Sequence, residues 1–294
     1  MPADLEVDTM KRPIGPTVPR WQLGALLRQA RLAANLDQSD AKDHLGCSMG
    51  KITNIETGQV GVVKSVVKDL LDLYGINDPD ERERYFELQR LGKSRGWWAS
   101  HGQLPTTFQD FLGVESAATI IEGFELSIVP GLLQTEDYAR AHEQALAPGQ
   151  SNDWIERQVE LRMDRRKHVL EADDRPRLWV ILDESILHRL VGGREVMKEQ
   201  LTYMLDQIET KICEFQIVPF SAGDYAGTLG KLDIYSFDEE LHTPIAFVES
   251  QAGSLYMEKP EELRRCIDAY TYIRSTALSP EESVKLLKQR AQNL

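Results

Sequence analysis

The chain has 294 residues, a formal net charge of −13, 41% hydrophobic and 28% charged residues. This is the profile of a globular protein of one large or, as we expect, two ordinary domains, and it excludes disordered and fibrous classes. No apolar run reaches the eighteen or so residues of a membrane span, and "MPADLEVDTMKRPIGPTVP" lacks the apolar core of a signal peptide, so a cytoplasmic location without membrane contact is expected.

Cys47, Cys213 and Cys266 are far apart and form no C-x-x-C pair, so they read as small buried apolar residues and not as a disulfide or zinc framework. The negative charge is unevenly placed. Between Lys11 and Ile76 nine lysines and arginines face six aspartates and glutamates, a local excess of +3. A mildly basic segment tied to an acidic body hints at an anionic partner for the first part.

Residues 1–19, rich in proline and acidic side chains, read as a flexible arm, with order beginning at Trp21. Leu23, Leu26, Leu27 and Ala30 then recur at helical intervals, and Asn35 suits the left-handed turn that closes a helix. "QSDAKDHL" is a short helix closed by Gly46, and Ser48 caps a third helix over "MGKITNIE". Val63, Val66, Val67, Leu70, Leu71 and Tyr74 stripe a fourth helix, and "DPDERERYFELQRLGKSRGWW" is a charged fifth. The domain so delimited spans 20–76, and the charged helix and linker 77–107.

From 108 to 294 the pattern becomes mixed α and β. A helix is expected over "FQDFLGVESAATIIEGFE", a turn at Pro130 and Gly131, a helix capped by Thr135, and a long helix from Trp154 to Leu170. "RLWVILDE", "CEFQIVPF", "KLDIYSF", "PIAFVES" and "GSLYME" have strand length and β-branched content, giving a mostly antiparallel sheet. Helices at "VMKEQLTYMLDQIE", after Pro260 and after Ser279 complete the α+β domain.

The third helix starts awkwardly. Gly50 weakens its first turn, and Lys51 puts a cation at the positive end of the helix dipole, each a cost of up to about 1 kcal/mol. A polyanion reverses both signs, because backbone approaches phosphate or base edges where a side chain is missing and the lysine gains a counter-charge. Two short helices separated by "GCS", with Ile52 and Ile55 pinning the second, fit a helix-turn-helix that presents the N-terminal half of its second helix to the major groove.

"LDQSDAKDHLGCSMGKITNIETG" resembles the XRE-type, lambda-repressor-like helix-turn-helix. The resemblance implies a five-helix, all-α domain. It places Gln38 where such repressors bind phosphate, and Met49, Gly50 and Asn54 where they read bases. Ser48, Lys51 and Thr53 lie between or beside these, and Lys64 is a further backbone contact. Arg31 and Glu56 match a buried structural ion pair. The family usually has arginine where Asn54 stands, and Asp37, Asp40 and Asp43 add negative charge nearby, so lighter, salt-sensitive binding is expected, relying on Lys51, Lys64, Arg20, Lys11 and Arg12.

"GWWASHGQLPTTFQDF", "ELSIVPGLLQTEDYARA", "RLWVILDESILHRLVGG", "VPFSAGDYAG" and "GSLYMEKPEE" extend the likeness. The whole is similar to actinobacterial XRE-family regulators with a long C-terminal antitoxin-like, Scr-type regulatory domain. That resemblance implies a repressor of development or secondary metabolism, a homodimer on double-stranded DNA, and a small acidic partner protein encoded nearby. Two rivals are an antitoxin-like protein that sequesters its partner and regulates only itself, and a regulator sensing a small ligand in an enclosed apolar pocket.

Enzyme-like patterns are weak. His142 and Glu143 lack the second zinc-protease histidine, since position 146 is Leu146. Asp183, Glu184 and His188 read as an acidic cap of the next helix, and "GDYAGTLGK" lacks phosphate-loop spacing. No catalytic, metal or cofactor site is therefore expected. "VPGLLQTEDYARA" reads first as a turn and capped helix packing Leu132, Leu133 and Tyr138 inward; its functional alternative is a partner or ligand surface of Gln134, Glu136 and Tyr138.

Overall fold

The computed structural model describes residues 14–238, 242–250 and 253–294. Lys11 and Arg12, expected at DNA, lie outside the described residues. The chain divides into two compact units, one of residues 14–117 with Asp238 and His242, the other of residues 118–237 and 243–294. Among the described residues no helix is long and apolar enough to cross a membrane.

The first unit is helical: α1 (Thr17–Ala33), α2 (Gln38–Leu45), α3 (Met49–Glu56), α4 (Lys64–Tyr74), α5 (Pro79–Gly92) and α6 (Thr106–Ala117). Helix α1 starts four residues ahead of Trp21, with Thr17, Val18 and Pro19 buried. Pro19 is tolerated because first-turn residues have no intrahelical acceptor to lose. Asn35 takes the left-handed conformation, φ 56°, that ends the helix. Gly24 lets α1 cross α3 closely, since a Cβ there would meet the Ile55 carbonyl oxygen at 2.5 Å. Leu23, Leu27, Ala41, Ile52, Ile55, Val67, Leu70 and Leu71 form the core between these helices. Helix α6 belongs to this unit too. A Cβ on Gly113 would lie 2.3 Å from Thr17 Oγ1, and Asp110 pairs with Arg20 at 3.3 Å.

The second unit holds β1 (Ile120–Glu125), α7 (Glu136–Leu146), α8 (Asn152–Leu170), β2 (Arg177–Asp183), α9 (Ser185–His188), α10 (Arg194–Glu209), β3 (Cys213–Val218), β4 (Leu232–Ser236), β5 (Ile245–Ser250), β6 (Gly253–Met257), α11 (Pro260–Thr276) and α12 (Pro280–Gln292). Among the described residues the strands form one sheet in the order β3-β2-β1-β4-β5-β6.

One expectation changes here. The helix expected through Glu125 stops at Ala117, and Ile120–Glu125 is a central strand, parallel to β2 and antiparallel to β4. Hydrogen-bonded neighbours on both sides override the helical pattern, and β-branched Thr119, Ile120 and Ile121 favour the strand. The sheet is mostly antiparallel, as expected, through the β1–β4, β4–β5 and β5–β6 pairs, while helical crossovers from β1 to β2 and from β2 to β3 make those two pairs parallel.

Phe124, Ile181, Val218, Ile234 and Ala246 face Tyr270 and Ile273 of α11 in a buried cluster. The outer edge of β3 is closed by the chain itself: Ile217 N–H donates to Ser283 Oγ at 2.9 Å, and its carbonyl accepts from Leu278 N–H at 2.8 Å.

Candidate nucleic-acid interface

Helices α2 and α3 are held by short-range chemistry. Asp37 N–H donates to Asp40 at 2.7 Å at the start of α2, Gly46 closes it at φ 58°, and Ser48 Oγ accepts from Lys51 N–H at 3.3 Å to start α3. At about 100° per residue the buried Ile52, Ile55 and Glu56 fall on one side of α3. Gly50 lies near the middle of the opposite side, flanked by Thr53, Asn54 and Thr57, with Met49 at one edge of the face and Lys51 at the other. A Cβ on Gly50 would meet nothing within 4 Å, so packing gives no reason for glycine there. Lys51 is exposed, and Met49 is 42% exposed.

Behind this face lies a buried polar network. Arg31 Nε and Nη2 donate to the two Glu56 carboxylate oxygens at 2.6 and 2.9 Å, and Arg31 Nη1 donates to the Leu36 carbonyl at 2.8 Å. Gln38 Nε2 donates to Glu56 Oε2 at 2.8 Å, and the Gln38 carbonyl oxygen accepts from Thr53 Oγ1 at 3.4 Å. Burial alone would raise the Glu56 carboxyl, but the hydrogen bonds from Arg31 and Gln38 outweigh it and hold the group below its ordinary value. The network ties α1, α2 and α3 into one rigid support. It also engages the Gln38 side chain, which the sequence assigns to phosphate.

Other expected cations are less available. Arg20, expected at the DNA backbone, is 23% exposed and pairs with Asp110, so it serves the α1–α6 junction instead. Lys42, to which the sequence gives no DNA role, pairs with Asp43 at 2.8 Å. Lys64 lies at the N-terminus of α4 with Nζ 4.6 Å from the Phe86 ring centre, a cation–π contact that holds it in place. Thr57, absent from the sequence-based set, joins the exposed face because the helical period continues one residue past the helix; its hydroxyl donates to the Thr53 carbonyl at 2.8 Å.

In the second unit the expected partner surface does not form as drawn. Gln134 and Tyr138 are 0% and 1% exposed. Gln134 Nε2 donates to the Val129 carbonyl at 2.8 Å, its Oε1 accepts from Arg162 at 2.6 Å, and Val129 N–H donates to the Tyr138 hydroxyl at 3.2 Å. These residues clamp the turn inward beside Leu132 and Leu133, because a buried amide must find internal partners. Glu136 alone remains exposed, paired with Arg140 at 2.6 Å.

Asp183 accepts from Ser185 N–H at 2.9 Å and from the Tyr225 hydroxyl at 2.6 Å, while Glu184 accepts from Phe220 N–H at 2.7 Å. His188 reaches Glu184 at 3.4 Å. This is helix-start and loop anchoring. Glu143, beside His142, pairs with Arg162. On the sheet face opposite Phe124, Lys231 Nζ sits 2.9, 3.4 and 3.7 Å from Glu125, Asp233 and Glu249. Burial pushes the Glu125 carboxyl up to about 7 against the pull of Lys231. An open surface depression is lined by Pro260, Glu261, Arg264, Arg265 and Asp268.

Comparisons with known proteins also find two parts, but they assign α6, which packs in the first compact unit, to the second part. Residues 22–85 match the model of a helix-turn-helix domain, and residues 108–289 match that of the domain of unknown function DUF5753. No curated protein and no solved structure matches. The helix-turn-helix match falls on the helices that frame the exposed α3 face, and the second match covers more than half of the sequence: the chain belongs to the DUF5753 family and carries a helix-turn-helix domain ahead of it.

Proposed function

We propose that this protein is a DNA-binding transcriptional regulator in which α3 enters the major groove. The observation that carries the reading is Gly50, a glycine near the centre of an exposed helix face that packing does not require, with Lys51 beside it at the positive end of the helix. A protein that only folded would be more stable with alanine there. Met49, Thr53 and Asn54 flank the approach, Ser48 caps it, Gln38 braces it from α2, and Lys64 contacts the backbone.

The finer reading is a repressor of development or secondary metabolism in the actinobacterial XRE family. It acts as a homodimer on half-sites about 34 Å apart or a multiple of that. One α3 with a single lysine gives little phosphate neutralisation, so pairing two heads on one duplex supplies the missing affinity. The 108–294 region dimerises the protein and receives a small acidic partner protein, which alters DNA affinity only through unequal binding to the free and DNA-bound forms.

Genome-wide binding of the tagged full chain, with and without the neighbouring gene, tests this. Enrichment of discrete promoters is expected in one of the two states; no enrichment in either overturns the proposal.

A further inference from the structure

The exposed face of α3 has a chemical bias. It carries no arginine or glutamate, and of the side chains suited to guanine or to the cytosine amino group it holds only Lys51, which the DNA-binding reading assigns to phosphate. Its middle is empty at Gly50. Beside the gap stands Met49, an apolar side chain 42% exposed at the first position of the helix. One turn on is Thr53, whose hydroxyl donates to the Met49 carbonyl at 3.2 Å and to Gln38 at 3.4 Å, leaving its methyl as the group not engaged by the protein. Asn54, half-exposed on the other flank, gives the fold its backbone carbonyl, which accepts from Gln59 N–H at 2.9 Å. A carboxamide pairs bidentately with adenine N6 and N7, and apolar groups meet the thymine C5-methyl. Lys51 is the only cation on the helix, and it lies at one edge of the face, as Met49 does at the other.

We infer that the base pairs under α3 are A·T, with Asn54 reading adenine and Met49 and the Thr53 methyl reading thymine methyl groups. This rests on the DNA-binding reading and adds to it the composition of the half-site. The specificity is one of methyl and amide contacts, and guanine is disfavoured because Lys51, the one side chain of the helix suited to its O6 and N7, is engaged at phosphate rather than because of a clash.

The test is selection by the full chain from a pool of random DNA duplexes, followed by titration of the winning duplex and of a copy with uracil replacing thymine in the half-site core. Uracil keeps base pairing and removes only the methyl. The expected result is an A·T core and an affinity that falls about fourfold per methyl removed. Met49→Ala should lose most of that sensitivity, and Asn54→Ala should reduce the preference for A·T over G·C at one position about tenfold. Selection of a G·C core, or an A·T core indifferent to uracil, overturns this inference and leaves the DNA-binding reading standing. Failure to enrich any duplex in both the presence and the absence of the neighbouring gene's product overturns the two readings.

Discussion

Replacing Glu56 by alanine removes the acceptor at the centre of the buried network behind α3. The Arg31 and Glu56 side chains are 6% and 3% exposed, so water cannot take the carboxylate's place. Arg31 keeps only the Leu36 carbonyl, and Gln38 Nε2 loses its acceptor. Leaving one member of a buried pair uncompensated costs about 3 to 5 kcal/mol. A domain of this size has roughly 5 to 15 kcal/mol in total, so the first unit should become marginal. Hydrogen exchange read by peptide mass spectrometry on the full chain measures the two units separately. Protection in α1 to α4 should fall by the equivalent of about 3 kcal/mol or more, while the sheet of the second unit keeps its own. Gln38→Ala, which removes the hydrogen bond to Glu56 and the longer one from Thr53 at a half-exposed site, should cost about 1 to 2 kcal/mol. The double change Arg31→Met with Glu56→Leu should recover most of the loss, because an apolar pair needs no compensation. If Glu56→Ala costs under about 1 kcal/mol, or the double change is worse than either single one, the network does not support α3 as described.

Two further results are expected. Glu125 has a folded value near 7 against an ordinary 4.5, so its contribution to the stability of the second unit is complete below about 4.5 and is lost as pH rises through 7. The second unit should therefore lose protection across that window, and Glu125→Gln should flatten the dependence; an unchanged slope would mean that Lys231 holds the carboxylate ionised. Lys51→Ala should weaken binding to all duplexes alike and make the slope of log affinity against log salt shallower by about 1 per subunit, measured by anisotropy titration at several salt concentrations. A slope identical to that of the unaltered chain would remove Lys51 from the phosphate contacts.

The helix-turn-helix is legible in the sequence because its signals are local. Gly46 supplies a left-handed turn, Ser48 a cap, and Ile52 and Ile55 the buried side, all within ten residues. Strand β1 is not legible in the same way. Its residues follow a helix after only Ala118 and Thr119, and what makes them a strand is pairing with segments more than fifty and more than a hundred positions away. The same distance hides the Lys231 site, since Glu125, Asp233 and Glu249 come from three strands and meet only when the sheet forms. Gln134 and Tyr138 show a further limit. A polar side chain in a conspicuous motif reads equally as a surface contact or an internal clamp, and only its burial among Val129, Arg162 and Leu133 decides for the clamp. Arg20 misled for the same reason: its partner Asp110 lies ninety positions on.

If α3 enters the major groove, Gly50 is kept for DNA and not for the fold. Gly50→Leu separates the two, because the position is open in the structure and leucine is the better helix former by about 0.5 to 1 kcal/mol. Melting temperature and affinity for the selected duplex should be measured on the same full-length preparation. An unchanged or higher melting temperature is expected with an affinity at least about tenfold weaker, since the side chain would hold the backbone of α3 away from the groove. An affinity equal to that of the unaltered chain would contradict that role for Gly50.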